Sequence, residues 1–240
     1  MGVNNTIVRL TARSMLGGRR LYLLAGLAAL LLALALLLRL FADVSATDSA
    51  EFIQAVSLGT LLPLFGLIVG TGTIGPEIDD GSVVYLLAKP VSRHVIVRSK
   101  LAVAVTTTVT FAAVPTFLAG LIMVGDRAGI ALAYGIGALV AGIVYSALFL
   151  LLAVATRHAV IFGLVYALIW ESLVGTFVPG ARTLSVQQWA LSVAESIASP
   201  GVITADVSLG VALTLAAVVF VAATWYAGER LRVLTLAGDD

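Results

Sequence analysis

Cysteine is absent from this sequence. Thiol catalysis, thiolate metal sites and disulfides are therefore excluded, and the redox compartment is left open. Charge is scarce as well, with Asp, Glu, Lys and Arg making up 11% of the 240 residues, against about 25% in soluble domains. That deficit excludes a soluble enzyme and a disordered tail. The net charge of +1 offers no basic surface to a polyanion, so no nucleic-acid partner is expected. Histidine occurs only at His94 and His158, and no H-E-x-x-H, no G-x-S-x-G and no carboxylate pair with metal spacing inside an apolar stretch is found. A phosphate loop needs G-x-x-x-x-G-K-[ST]. The only lysines, Lys89 and Lys100, follow Ala88 and Ser99 rather than glycine. The chain is thus not expected to be an enzyme by itself, with no catalytic residue, no metal ligand and no bound cofactor.

What the chain has in abundance is apolar side chains, 60% of all positions, with a mean hydropathy of +1.10. A helix needs about 20 apolar residues to cross a hydrocarbon core of ~30 Å. Uncharged stretches run Leu21–Leu38, Phe52–Pro76, Leu101–Gly125, Ala128–Thr156 and Val207–Gly228, and a further one, Ala159 to about Phe177, is broken only by Glu171. The expectation is an all-α integral membrane protein, one domain over residues 1–240, with six transmembrane helices near 21–41, 52–74, 101–124, 128–155, 159–177 and 207–227. Unsatisfied backbone in lipid makes helix the only sensible form for them. No small-residue cleavage site follows the first stretch, so it reads as a span rather than a signal peptide. The two halves show no repeat, which gives an inverted-repeat transporter no support.

Basic residues set the orientation. With six spans, Arg9, Arg13, Arg19, Arg20, Lys89, Arg93, Arg98, Lys100, Arg157, Arg230 and Arg232 fall on the side of both termini, and only Arg39, Arg127 and Arg182 fall opposite. Both termini are therefore expected in the cytoplasm. Residues 1–20 place Val3, Ile7, Val8, Leu10 and Met15 on one helical face and Arg9, Arg13 and Arg20 on another, the pattern of a helix lying in the headgroup layer; an unstructured basic leader is the alternative. On the far side, in the segment 178–206, Ser185-x-x-Gln188 forms a capping box. It opens a helix with Val186, Trp189, Ala190, Val193, Ala194 and Ile197 along one side and Pro200 at its end. Such a helix rests on the outer surface or caps the bundle.

The connection 75–100 concentrates charge. Pro76 suits a first helical position, and Glu77, Asp79 and Asp80 favour a helix N-terminus. Val83, Val84, Leu86 and Leu87 then make a short apolar patch that Pro90 stops. A helix acidic at its start and apolar along one side suits docking to another protein. An ordinary re-entry turn with a positive-inside cluster reads equally well.

The residues here resemble a known family. Glu77-x-x-x-Gly81-Ser82, then Leu86-Leu87-x-x-Pro90-Val91-Ser92-Arg93, then Lys100, is similar to the membrane (permease) subunits of type-2 ABC transporters, exporter-like and of the type V exporter fold. Their pattern reads E-x-x-x-G-[ST], L-L-x-x-P-[IV]-[ST]-R, then a Lys opening the third span. The match covers about 24 residues, while the layout of spans and surface helices extends the resemblance to the whole chain. It implies two membrane subunits, a second copy of this chain or a related permease, working with two cytoplasmic ATPase subunits. ATP and Mg would be held by those ATPases. By the same analogy 75–100 is the coupling loop, with Glu77, Asp79, Asp80, Gly81, Ser82, Pro90, Ser92, Arg93 and Lys100 at the ATPase contact. Glu77 and Gly81 would shape the helix entry, and Arg93 and Lys100 would anchor the return to the membrane surface. The turn at Arg157 and His158 would be a second, smaller contact. The expected location is a prokaryotic inner (plasma) membrane, where the bilayer is the remaining partner.

Inside the spans, Gly59, Pro63, Gly66 and Gly70 fall at i, i+4, i+7 and i+11. Gly66-x-x-x-Gly70 permits close helix approach, either as a seam between permease copies, as a wall of the path, or as packing within one bundle. The fourth span has Gly135, Gly137, Ala141 and Gly142, for which packing is expected. Phe162, Tyr166 and Trp170 stand at four-residue spacing beside Glu171. An ionisable group at membrane depth marks a path or an ion pair, and Arg182 is the candidate counter-charge. Two other function classes stay open at this stage: an ion-coupled secondary transporter using Glu171, and a lipid-modifying enzyme with a metal on Glu77, Asp79 and Asp80. The transported substrate is not legible.

Overall fold

Long apolar runs without interior charge become helices whose backbone polar groups pair within the segment. The computed structural model describes residues 2–42, 45–82, 91–125, 129–174 and 179–234, and all regular structure among them is helical. Lys89, Pro90 and the apolar patch at 83–87 lie outside the described residues, as do Arg127 and Phe177. In chain order the helices are α1 (Asn5–Leu16), α2 (Arg19–Phe41), α3 (Ala46–Asp79), α4 (Arg93–Val124), α5 (Ile130–Ala155), α6 (Ala159–Glu171), α7 (Val186–Glu195) and α8 (Leu209–Leu234). Helices α2, α3, α4, α5 and α8 are long and apolar enough to cross a membrane, as in a multi-pass membrane protein. The fifth expected span is the exception: α6 is shorter, and its second half passes into a π-helical turn, Tyr166–Val174.

Two helices start earlier than apolar content alone suggests. Helix α3 opens at Ala46 because Ser45 and Asp48 form a reciprocal capping box, with Ser45 Oγ accepting from the Asp48 amide at 3.1 Å and Asp48 Oδ2 accepting from the Ser45 amide at 3.0 Å. Helix α4 opens at Arg93, so His94, Arg98 and Lys100 are helical. A turn at Thr73 and Ile74 interrupts α3 near its end.

Pro63 and Pro115 fall inside α3 and α4. A proline there removes one backbone bond and crowds the carbonyl a turn back. Each helix widens into π-helix just before it, over Ile53–Leu61 and Val109–Ala113. Helix α5 is the axle of the bundle, with α3, α4, α6, α7 and α8 packed on it. Its Tyr134, Tyr145 and Phe149 are among the largest fully buried side chains.

Helix α1 is capped by Asn4, whose Oδ1 accepts from the Thr6 and Ile7 amides at 3.0 and 3.3 Å. It buries Ile7, Thr11 and Met15 while leaving Val3 and Leu10 exposed. Its apolar residues keep to one side, the centre of which packs on the bundle while Leu10 at the edge stays exposed. Helix α7 keeps half of its expected box. Ser185 Oγ accepts from the Gln188 amide at 3.3 Å, but the Gln188 side chain turns to the Asp206 amide at 3.5 Å. Val186, Trp189, Ala190, Val193 and Ala194 are buried as expected.

Candidate functional site

The carbonyls at the break in α3 lack intrahelical donors and carry the negative end of the helix dipole. Two cations answer them. Arg20 Nη1 donates to the Gly72 carbonyl at 2.9 Å. Lys100 Nζ donates to the Thr73 carbonyl and to Glu77 Oε1, both at 2.7 Å. The first and last charged positions of the loop pattern, 23 residues apart, therefore meet as an ion pair. Lys100 is 1% exposed, so it ties α4 to the loop from inside instead of anchoring it at a surface. Glu77 Oε2 is buried without a hydrogen-bond partner, and the carboxylate relies on Lys100.

Gly81 ends the short turn Gly75–Asp79 with φ +70°, a left-handed conformation that glycine adopts without a Cβ clash. Its amide donates to the Ile78 carbonyl at 3.2 Å, and Ser82 Oγ donates to the Glu77 carbonyl at 3.4 Å. Asp79 and Asp80 are exposed. Ser92 holds the N-cap position of α4 through its backbone, its carbonyl accepting from Val95 and Ile96. Arg93, half-buried, opens that helix.

Arg157 and His158, in the turn between α5 and α6, are exposed beside this loop. With Asp79 and Arg20 they line a cavity of about 460 Å³. A second, of about 540 Å³, lies between Ile78, Asp79, Gly81, Thr156 and Arg157. Residues from two separate inter-helix turns thus form one polar end of the bundle. Helix α1 leans on it: the Asn4 amide donates to Ser99 Oγ at 2.9 Å, and Ile7 packs with Ile96, Ile78 and Val91. The far end of α8 arrives through Glu229 Oε1, 3.1 Å from His94 Nε2. No simple sequence signal pairs Asn4 with Ser99 or His94 with Glu229.

No family model matches this chain, and no curated protein matches it either.

At the opposite end, Glu171 is 4% exposed and does not pair with Arg182, which bonds Asp206 Oδ2 at 2.7 Å. Three neutral donors hold it instead. The Tyr166 hydroxyl and the Val186 amide donate to Oε1 at 3.0 and 3.1 Å, and Ser185 Oγ donates to Oε2 at 2.5 Å. A carboxylate at a helix N-terminus is favoured by dipole and amide alike, and here it staples the end of α6 to the start of α7. Replacing Glu171 by Ala should cost about 2 kcal/mol, the scale for hydrogen bonds to a charged acceptor. Thermal unfolding in detergent measures it, and Glu171→Gln, which keeps one acceptor oxygen, should lose less.

The aromatic stripe does not converge on Glu171. Tyr166 also meets Phe149 edge-on at 6.1 Å, and Phe162 is exposed on the flank. Trp170 is only partly buried. The glycine row divides too. A Cβ on Gly66 would sit 2.6 Å from Tyr145 Cβ, and one on Gly70 would sit 2.7 Å from Phe149 Cβ. Both therefore pack α3 on α5 within one chain, the last of the three readings the sequence allows. Gly59 faces the Gln187 side chain instead, in a polar pocket that Glu51 and Glu171 also line. Pro63 is buried. Gly137, against the Ala190 carbonyl, and Gly142, against Thr108, are packing positions as expected.

Proposed function

We propose that this chain is the membrane subunit of an ATP-driven ABC transporter, exporter-like, working as a dimer with two separate ATPase subunits that hold ATP and Mg. The observation that carries the reading is the Glu77–Lys100 pair, which braces the 75–82 turn from within and leaves Asp79 and Asp80 exposed next to Arg157 and His158. A braced turn with outward charges is suited to receive push and pull from a docked protein. ATP-driven closure of the ATPases would move this turn and, through α3, the rest of the path.

Six crossings and cytoplasmic termini belong to the same proposal, with α6 as the short crossing. The contacts of α1 and of the end of α8 with the start of α4 support placing both termini on the Glu77 side. The prokaryotic plasma membrane is the location this reading takes. Glu171, with its oxygens accepting from three donors, lends no support to ion coupling. Glu77 turns inward to Lys100 while Asp79 and Asp80 face outward, so among the described residues these three acids do not stand together as a metal set.

The test is a mild-detergent pull-down of the full chain from its host, with mass spectrometry and an ATPase assay on the eluate. A roughly equimolar Walker-motif ATPase is expected. Because Asp79 and Asp80 are exposed, the double variant Asp79→Arg/Asp80→Arg should keep the fold and reduce co-purified ATPase by more than about tenfold, since like-charge juxtaposition at an interface costs several kcal/mol. No ATPase in the eluate, even after crosslinking through the loop, would overturn the proposal.

A further inference from the structure

The cavity of about 460 Å³ lies between α2, α3, α6 and the Thr156–His158 turn, and its two halves differ in chemistry. Level with the helix ends it is lined by Arg20, Asp79, Arg157 and His158. About one turn further along the helices the walls are Leu23, Leu67, Ile68, Val160 and Ile161.

The donors in the polar half are available. Arg20 uses one donor on the Gly72 carbonyl, and a guanidinium has five. Arg157 and the His158 ring make no hydrogen bond or ion pair among the described residues, and Asp79 pairs with neither arginine. The apolar half opens sideways: Leu23, Val160 and Ile161 are 57%, 58% and 62% exposed. They sit on helices whose outer flanks are apolar along their length, α2 with Leu30 and Leu37 and α6 with Leu164 and Leu168 also exposed. An occupant must therefore be anionic at one end and apolar at the other, and must enter from the hydrocarbon side. A soluble anion would leave the apolar half unfilled. Two guanidiniums face one carboxylate, Asp79, in the polar half, so its net charge is positive and favours an anionic headgroup over a zwitterionic one.

We infer that this cavity binds an anionic phospholipid, its phosphate held by Arg20, Arg157 and His158 and its first acyl carbons lying against Val160, Ile161 and Leu67. Arginine suits a phosphate because its planar fork can donate two bonds at once, and basic pockets between membrane helices are a known mode of lipid-headgroup recognition. The site requires the membrane setting of these helices and does not require an ATPase.

Native mass spectrometry of the detergent-purified full chain, titrated with phosphatidylglycerol, phosphatidylcholine or glycerol phosphate, tests it without any partner subunit. One phosphatidylglycerol should bind about tenfold more tightly than phosphatidylcholine, the scale of one charge-assisted bond. Arg157→Ala with His158→Ala should abolish that preference at an unchanged unfolding midpoint. Val160→Trp, which fills the apolar half without touching a charge, should lose phosphatidylglycerol binding and keep any ATPase co-purification. Equal affinity for the two lipids, or a preference that survives Arg157→Ala/His158→Ala or Val160→Trp, would overturn the inference. Displacement by glycerol phosphate at matching concentration would overturn it as well, since the headgroup would then suffice alone.

Discussion

Glu77→Ala should destabilise the protein by about 3 kcal/mol, more than Lys100→Met does, although both remove the same ion pair. The asymmetry follows from burial. Lys100 is almost fully enclosed, while the Glu77 side chain is about one-third exposed, at 34%. Removing Glu77 leaves an ammonium inside the protein with only the Thr73 carbonyl as acceptor, and an uncompensated buried charge costs roughly 3–5 kcal/mol. Removing Lys100 leaves a carboxylate whose Oε2 is buried on a side chain that is one-third exposed, so it can swing outward to water for about 1–2 kcal/mol. The double variant Glu77→Ala/Lys100→Met should recover part of the larger loss, because no lone charge remains. Reversible unfolding in detergent, run as a double-mutant cycle, reads all three. Strict additivity, or Lys100→Met as the worse variant, would show that the pair does not hold the turn.

Gly70→Leu should be the other severe change. Even a methyl at this position meets Phe149 Cβ at 2.7 Å and the Leu150 amide nitrogen at 3.0 Å, and neither atom belongs to the far end of a flexible side chain. Overpacking typically costs about 1–3 kcal/mol, and a branched four-carbon side chain against backbone should reach or exceed the upper value. Gly66→Val should behave similarly against Tyr145. A seam between copies would instead leave the monomer's stability intact and change only the oligomeric state. Unfolding midpoints alongside size-exclusion profiles separate the two outcomes.

Much of the bundle was legible because its signal is crude and long. Eighteen or more apolar residues announce α2, α3, α4, α5 and α8 whatever their neighbours are. The loop pattern singled out Glu77, Gly81 and Lys100, yet spacing along a chain carries no information that Lys100 would fold inward to meet Glu77. Glu171 stood out from composition alone, as the lone charge in an apolar run. Its true partners did not, since a carboxylate suggests a cation and the donors here are a tyrosine, a serine and a backbone amide. The glycine row in α3 misleads for a geometric reason. A 3.6-residue period places Gly59 with Gly66 and Gly70, but Ile53–Leu61 is π-helical, so Gly59 turns toward Gln187 and the other two toward α5. The fifth expected span likewise leaves the α-helical ladder over Tyr166–Val174.

A rod passes a twist along its axis only where its pitch is constant. In α3 and α4 the pitch changes part-way, over Ile53–Leu61 and Val109–Ala113, and the Ser57–Thr116 hydroxyl bond of 2.5 Å holds the two helices abreast near those changes. Rotation imposed near Glu77 would be taken up in the wider turns, whose backbone bonds can shift between i→i+4 and i→i+5 partners. The Ser57–Thr116 bond therefore ties α3 and α4 together at the level where both change pitch.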